Sequence, residues 1–227
     1  MSAEAGQPEA GGTPVAAVDL GSNSFHLIVA RLGPGEVRIL DRIKEMVRLG
    51  GGLRPDRTLE RGTRDAALAC LDRFGQRLRD LPAGRVRAIG TNTLRRLRDP
   101  GPFLEAVEAA LGHPIEVVSG VEEARLIYMG VAHSLAPGPE DDRLVVDVGG
   151  GSTELVLGTG YRPRRMESLA LGCVGLSRDH FPGGTLEAGA FRRARLAARQ
   201  EVEPVEQAFR SGGWADAVGA SGTVRAA

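Results

Sequence analysis

Two stretches of this 227-residue chain open with an aspartate at the end of an apolar run and continue as a turn of glycine and short polar residues. The first reads Asp19-Leu20-Gly21-Ser22-Asn23-Ser24, and the second Asp147-Val148-Gly149-Gly150-Gly151-Ser152-Thr153-Glu154. Such turns can offer backbone N–H groups and short side-chain donors to phosphate oxygens. A carboxylate at the start, such as Asp19, could stand beside a metal ion, directly or through water. Either turn alone also fits an ordinary hairpin. Three successive glycines cost roughly 0.5–1 kcal/mol each relative to alanine in a regular element. The second turn therefore suits a backbone that a ligand approaches closely. One design used twice strengthens the phosphate reading.

Three further segments carry compatible chemistry. Gly90-Thr91-Asn92-Thr93-Leu94-Arg95 follows a short apolar run with hydroxyls, an amide and a guanidinium whose planar fork suits phosphate. Arg96 and Arg98 nearby make a solvated basic helix start the alternative. Ser119-Gly120-Val121-Glu122-Glu123-Ala124-Arg125 places two carboxylates at a helix start. Neighbours on a helix point about 100° apart, so at most one faces a given cleft. A carboxylate beside phosphate and metal could orient water and take its proton; the alternative is a solvated surface pair. Gly219-Ala220-Ser221-Gly222-Thr223 is another strand-to-helix turn, with Ser221 as its anion-binding candidate. His26 reads as a hydrogen-bonded core histidine and His180 as a loop residue. No nucleophile elbow, zinc-ligand cluster or Walker-A loop is present, and the single lysine, Lys44, lies outside any such loop.

The elements that must hold these segments follow from periodicity. Val15–Leu20 and Phe25–Leu32 read as strands around the first turn, and 37–49 continues as β-rich sequence up to a break at 50–53. Apolar residues at helical spacing (Ala66, Ala67, Cys70, Leu71, Phe74, Leu78) predict a helix across 59–81. A strand at 85–90, a helix at 102–111, a strand at 115–119 and a helix at 122–131 follow, then a loop at 132–142. Strands at 144–147 and 154–157 flank the second turn, a long helix spans 187–210, and a last strand covers 217–220. The recurrence of strand, small-residue turn and strand suggests a duplicated domain whose turns face each other. Residues 1–14 read as a flexible tail. The chain stops where a helix starts, so the second lobe is expected to be incomplete.

Composition sets the outer bounds. Twenty-nine basic residues balance 29 acidic ones, which argues against a uniformly basic, nucleic-acid-binding surface but allows a local anion cluster. No apolar run approaches the roughly 20 residues that span a bilayer. Only Cys70 and Cys173 occur, far apart, and both thiols are expected to be buried and inert in a reducing compartment. The cytoplasm fits, with peripheral membrane association left open.

Taken in order, AAVDLGSNSFHLIVAR, GTNTLRRLRD, EVVSGVEEARLIYMGV, LVVDVGGGSTELVLG, GCVGLSRDHFPGG and AVGASGT resemble the exopolyphosphatase/guanosine pentaphosphate phosphatase family, closer to its exopolyphosphatase branch. The resemblance implies an α/β fold of two ribonuclease-H-like lobes with mixed sheets flanked by helices, of acetate and sugar kinase, Hsp70 and actin type. The lobes are placed at 15–127 and 128–227, with the active site between them. It implies Glu123 as the base that activates water, and Asp147 and Glu154 as residues binding Mg2+ and positioning that water. It implies Asn23, Arg95, Gly150 and Ser152 as the grip on terminal phosphates. The residue reading adds Asp19 to the metal set, and Ser22, Ser24, Asn92, Gly149, Gly151, Thr153 and Ser221 to the phosphate set. K+ is a candidate activator. The implied substrates are inorganic polyphosphate and guanosine pentaphosphate. Relatives continue into further domains and are homodimeric, so weak or no turnover of long polymer is expected here. The competing readings are an ATP-dependent kinase of the same superfold and a non-catalytic polyphosphate or alarmone sensor.

Overall fold

A computed structural model describes residues 12–34, 36–135 and 142–226. Alternation governs the first hairpin. In β1 (Val15–Leu20), Ala16, Val18 and Leu20 are buried, while Ala17 and Asp19 point to the other face. In β2 (Phe25–Gly33), Phe25 and Leu27 join the same core. The strands pair antiparallel with Asp19 opposite His26. β3 (Glu36–Glu45) pairs with β2 and sets Lys44 opposite His26. β4 (Val86–Gly90) and β5 (Ile115–Val117) run parallel on the far side, giving the order β3-β2-β1-β4-β5.

Two helices cover the apolar face. Along α1 (Arg61–Leu78), Ala67, Cys70, Leu71, Phe74 and Leu78 recur at three- and four-residue spacing and are buried. After the short α2 (Asn92–Arg96), α3 (Gly101–Leu111) adds Phe103, Val107 and Leu111. A Cβ at Gly75 would lie 2.7 Å from the Ala110 and Leu111 carbonyl oxygens, so glycine is what lets α1 close on α3.

The second sheet repeats the plan. β6 (Asp142–Val148), β7 (Thr153–Thr159) and β8 (Arg162–Leu169) form an antiparallel meander, and β9 (Asp216–Gly219) lies parallel to β6, in the order β8-β7-β6-β9. Asp147 stands opposite Glu154, and Glu154 opposite Ser168. Between β8 and β9 come α5 (Cys173–His180) and α6 (Ala188–Gly212), and α7 (Gly222–Ala226) follows β9. Three antiparallel strands, a long helix, a parallel strand and a short helix thus occur twice, so the expected duplication is one of topology.

α4 (Gly120–Leu135) packs on the second sheet. Its residues Ala124, Tyr128 and Ala132 bury against Val145 and Val156, and the Tyr128 hydroxyl donates to the Gly160 carbonyl at 3.0 Å. The division expected between residues 127 and 128 therefore falls inside α4, and the packing favours a boundary before Gly120. α4 also outlasts its expected end and takes in residues 132–135 of the loop expected at 132–142; residues 136–141 lie outside the described residues, as do 1–11 of the expected tail. β8 and α5 were not anticipated, and His180 closes α5 instead of lying in a loop.

Candidate active site

The β1–β2 and β6–β7 turns meet tip to tip. A Cβ at Gly150 would lie 3.0 Å from the Asn23 Cβ and backbone nitrogen, and one at Gly151 2.6 Å from Asn92 Oδ1 and 2.7 Å from Ser22 Oγ. The glycines expected to admit a ligand thus also admit the opposing turn. Each turn is tied from behind through its carbonyls. The Gly50 and Arg48 N–H groups donate to Ser22 and Asn23, and the Cys173 and Val174 N–H groups donate to Gly149 and Gly150. The N–H groups of Ser22, Asn23, Gly150, Gly151 and Ser152 donate no backbone hydrogen bond of the turns among the described residues. Carbonyls anchored behind and amides unspent in front make a paired anion cradle.

The acids gather at the base of a cleft of about 480 Å³ lined by both turns. Asp19 and Asp147 end equivalent strands, and Glu154 sits on β7 in the place that His26 holds on β2. Glu123 arrives from α4, whose start is capped by Ser119 Oγ accepting from the Glu122 N–H at 3.1 Å. Glu122 turns outward to pair with Arg125 at 2.7 Å, while Glu123 faces the cleft and accepts from Arg95 at 2.9 Å. Burial raises the proton affinity of these acids. Asp19 is pushed up to about 7 by burial, then by the charges of Glu123 and Asp147. Glu154 is likewise pushed up to about 7 by burial and by Glu123, against hydrogen bonds from Ser168 and Ser152. Burial raises Glu123 against the pull of Arg95, and raises Asp147 against a hydrogen bond from Ser221.

Most of the expected site residues converge here. Asp19, Ser22, Asn23, Ser24, Glu123, Asp147, Gly149, Gly150, Gly151, Ser152, Glu154 and Ser221 all line the cleft. Three stand behind its wall. Thr153 Oγ1 is spent on the Leu171 carbonyl at 2.6 Å, so its hydroxyl does not serve a cleft ligand. Asn92 lies at the contact between turns. Arg95 Nη1 donates at 2.9 Å to both the Val118 carbonyl and Glu123, so this side chain orients Glu123 from beside the cleft. Ser221 Oγ accepts from the Val148 and Val224 N–H groups at 3.2 Å, capping α7 while its hydroxyl steadies Asp147.

Sequence reasoning missed Lys44, Met46 and Cys173, which also line the cleft. Cys173 is only half-buried, against the expectation of an inert buried thiol; Cys70 fits that expectation, its thiol pushed up to about 12 by burial. His26 is no core residue either: it lines the cleft and bonds Ser24 Oγ at 2.8 Å. Alternation along β2, with Phe25 and Leu27 in the core, would have placed His26 on the opposite face, beside its pairing partner Asp19. A larger groove of about 620 Å³ beneath α6, lined by Leu144, Leu155, Phe209 and Trp214, touches neither turn.

The raised acids set a pH dependence. A carboxyl that holds its proton more tightly folded than unfolded stabilises the fold fully below its unfolded value, 3.8 for Asp19 and 4.5 for Glu154; that contribution is lost as pH rises through about 7. Tm of the metal-free chain is therefore expected to rise as pH is lowered from the alkaline side through neutrality. Asp19→Asn with Glu154→Gln should flatten the profile. A Tm that falls over that interval in the parent chain would contradict the assignment. Ion-paired acids such as Asp142 and Asp216, held low by Thr159 and Arg143, act in the opposite sense only at lower pH.

Among the described residues, no group of three or more His, Cys, Asp or Glu side chains is disposed as a metal cage. Mg2+ needs none, since it commonly takes one or two carboxylates and completes its shell with water and substrate phosphate. Mutual repulsion among Asp19, Glu123 and Asp147 fits a cation shared with substrate. No helix among the described residues is long and apolar enough to cross a membrane.

Comparison with known proteins bears on the fold and the family. The chain is 31% identical to the Aquifex aeolicus PPX-GPPA enzyme, with a TM-score of 0.67 over 85% of this chain and 64% of that one. An exopolyphosphatase from Cytophaga hutchinsonii superimposes with a TM-score of 0.82 at 24% identity, over 91% of this chain and 66% of that one, and shows the shared fold. A PilM-PilN type IV pilus biogenesis complex shares the fold at 14% identity and a TM-score of 0.59, covering 90% of this chain and 81% of that one. The fold is accordingly the actin-like, two-sheet α/β class expected. The chain spans just under two thirds of the first two structures. The model of the Ppx/GppA phosphatase family matches residues 28–227, and the chain belongs to that family.

Proposed function

We propose that this chain hydrolyses the terminal phosphoanhydride of inorganic polyphosphate, with guanosine pentaphosphate as a related substrate. The carrying observation is the meeting of two turns with unspent N–H groups above Glu123 and three further acids. In this reading the Ser22–Ser24 and Gly149–Ser152 turns cradle the terminal phosphate. Glu123, steadied by Arg95, takes a proton from water as the water oxygen attacks phosphorus. The bridging oxygen leaves with the shortened polymer. Burial raises the proton affinity of Glu123, which makes it a stronger base than a free glutamate. Asp147 and Glu154, with Asp19 beside them, would hold a magnesium ion, which supplies charge neutralisation for the phosphate oxygens when bound. Positioning and neutralisation are most of what phosphoryl transfer asks of a protein.

The test is orthophosphate release from polyphosphate, guanosine pentaphosphate and ATP, each with and without Mg2+. Mg2+-dependent release from polyphosphate is the expected result. Polyphosphate binding without release would favour the sensor, and phosphate transfer from ATP to a second substrate would favour the kinase.

A further inference from the structure

The edge strand β3 sorts its charges by face. Over Asp41-Arg42-Ile43-Lys44-Glu45, side chains alternate. Asp41 and Glu45 turn toward α1, where Arg77 lies 3.7 Å from Asp41 and Arg73 pairs with Glu45. Ile43 packs against the core between them. Arg42 and Lys44 take the opposite face, are exposed, and form no ion pair among the described residues.

That face leads into the cleft. Asp19, His26 and Lys44 lie in register across β1, β2 and β3, and the next row away from the turn on this side holds Ile28 and Arg42. Lys44 Nζ would be 4.0 Å from a Cβ at Gly222, so it reaches across to the β9–α7 turn. The positive charges of Lys44 and Arg42 both lower the pKa of His26, after burial. β3 has no strand on its outer side, so the row is open to solvent.

We propose that this row is an exit track, in which Lys44 binds the phosphate next to the scissile one and Arg42 binds phosphates further along the polymer. It rests on reading the cleft as a polyphosphate hydrolase site. The terminal phosphate enters an acid-lined pocket and needs a shared cation. The rest of the polyanion must leave toward positive charge, and these two side chains are the basic groups beside the mouth on the first sheet. Residues two apart on a strand stand roughly 7 Å apart, so an extended polyanion can engage both. The track favours substrates with several phosphates over pyrophosphate.

The test titrates pyrophosphate and long polyphosphate into Glu123→Gln protein by calorimetry at several salt concentrations. Arg42→Gln is compared with Arg42→Gln/Lys44→Gln and with Arg79→Gln, a charge-matched change at the end of α1. Equal melting temperatures separate lost binding from lost fold. Arg42→Gln should weaken long polyphosphate about tenfold and leave pyrophosphate unchanged. The double variant should weaken long polymer further and reduce the salt slope by about one per charge removed. Arg79→Gln should alter neither. Parent-like affinity of the double variant for long polyphosphate, or equal losses for both ligands, overturns the track. If the parent chain hydrolyses polyphosphate while the variants bind it normally, the track alone fails. If the parent neither binds nor hydrolyses any polyphosphate, the hydrolase reading falls and the track with it.

Discussion

Glu123→Gln is expected to lower kcat for phosphate release by about 10²–10⁴-fold, the usual contribution of a positioned base, while polyphosphate still binds. Gln keeps the shape and can still accept from Arg95, but it cannot take a proton from water. Binding should survive because the change removes a negative charge from a cleft that holds an anion. Steady-state kinetics with a parallel binding titration decides the matter. A variant with parent-like kcat would remove Glu123 from the chemistry. Glu122→Gln is the internal control: Glu122 points outward to Arg125, and its loss should leave turnover intact.

A larger structural effect is expected from a residue that carries no chemistry. A Cβ at Gly172 would lie 2.5 Å from Gly150 C and O and from the Gly151 nitrogen. These are backbone atoms, and the loop is already tied down by the Cys173 and Val174 N–H groups. Gly172→Ala must therefore push the loop toward Asn23 or break those ties. Overpacking of this kind costs about 1–3 kcal/mol, and displacing a substrate-positioning loop by about 1 Å can lower the rate some 10²-fold. Gly175→Ala is the matched control, since nothing lies within 4 Å of its added Cβ and alanine suits a helix better. Thermal melts and phosphate release on both variants check this. Parent-like activity in Gly172→Ala would show that the loop position does not limit the reaction.

How much of this was legible in the sequence depends on the kind of signal. The two Asp-to-glycine turns were visible because buried strands give clean apolar runs and glycine clusters punctuate them. α1 was visible because five core residues, from Ala67 to Leu78, keep helical spacing within an 18-residue helix. β8 was not, because it is an edge strand rich in arginine with Pro163 near its start, so no apolar alternation marks it. α5 was not, because eight residues are too few to display a period. The turns themselves were readable; their supports were not. Gly172 and the carbonyl ties from α5 act between segments some twenty residues apart, and no local pattern encodes such a contact. Arg95 shows the same limit: its type and place suggested a phosphate grip, and only the fold reveals its hold on Glu123 and the Val118 carbonyl. Lys44 was set aside because it belonged to no motif, although alternation along β3 carries it to the cleft face.

The most direct test is a crystal structure of the Glu123→Gln chain with tripolyphosphate and Mg2+. The terminal phosphorus should sit between Asn23 and the Gly149–Ser152 turn, with its oxygens on the free amides and residue 123 facing it across a water. Phosphate density on another surface, with the two turns still closed on each other and empty, would contradict the convergence on which every functional statement above depends.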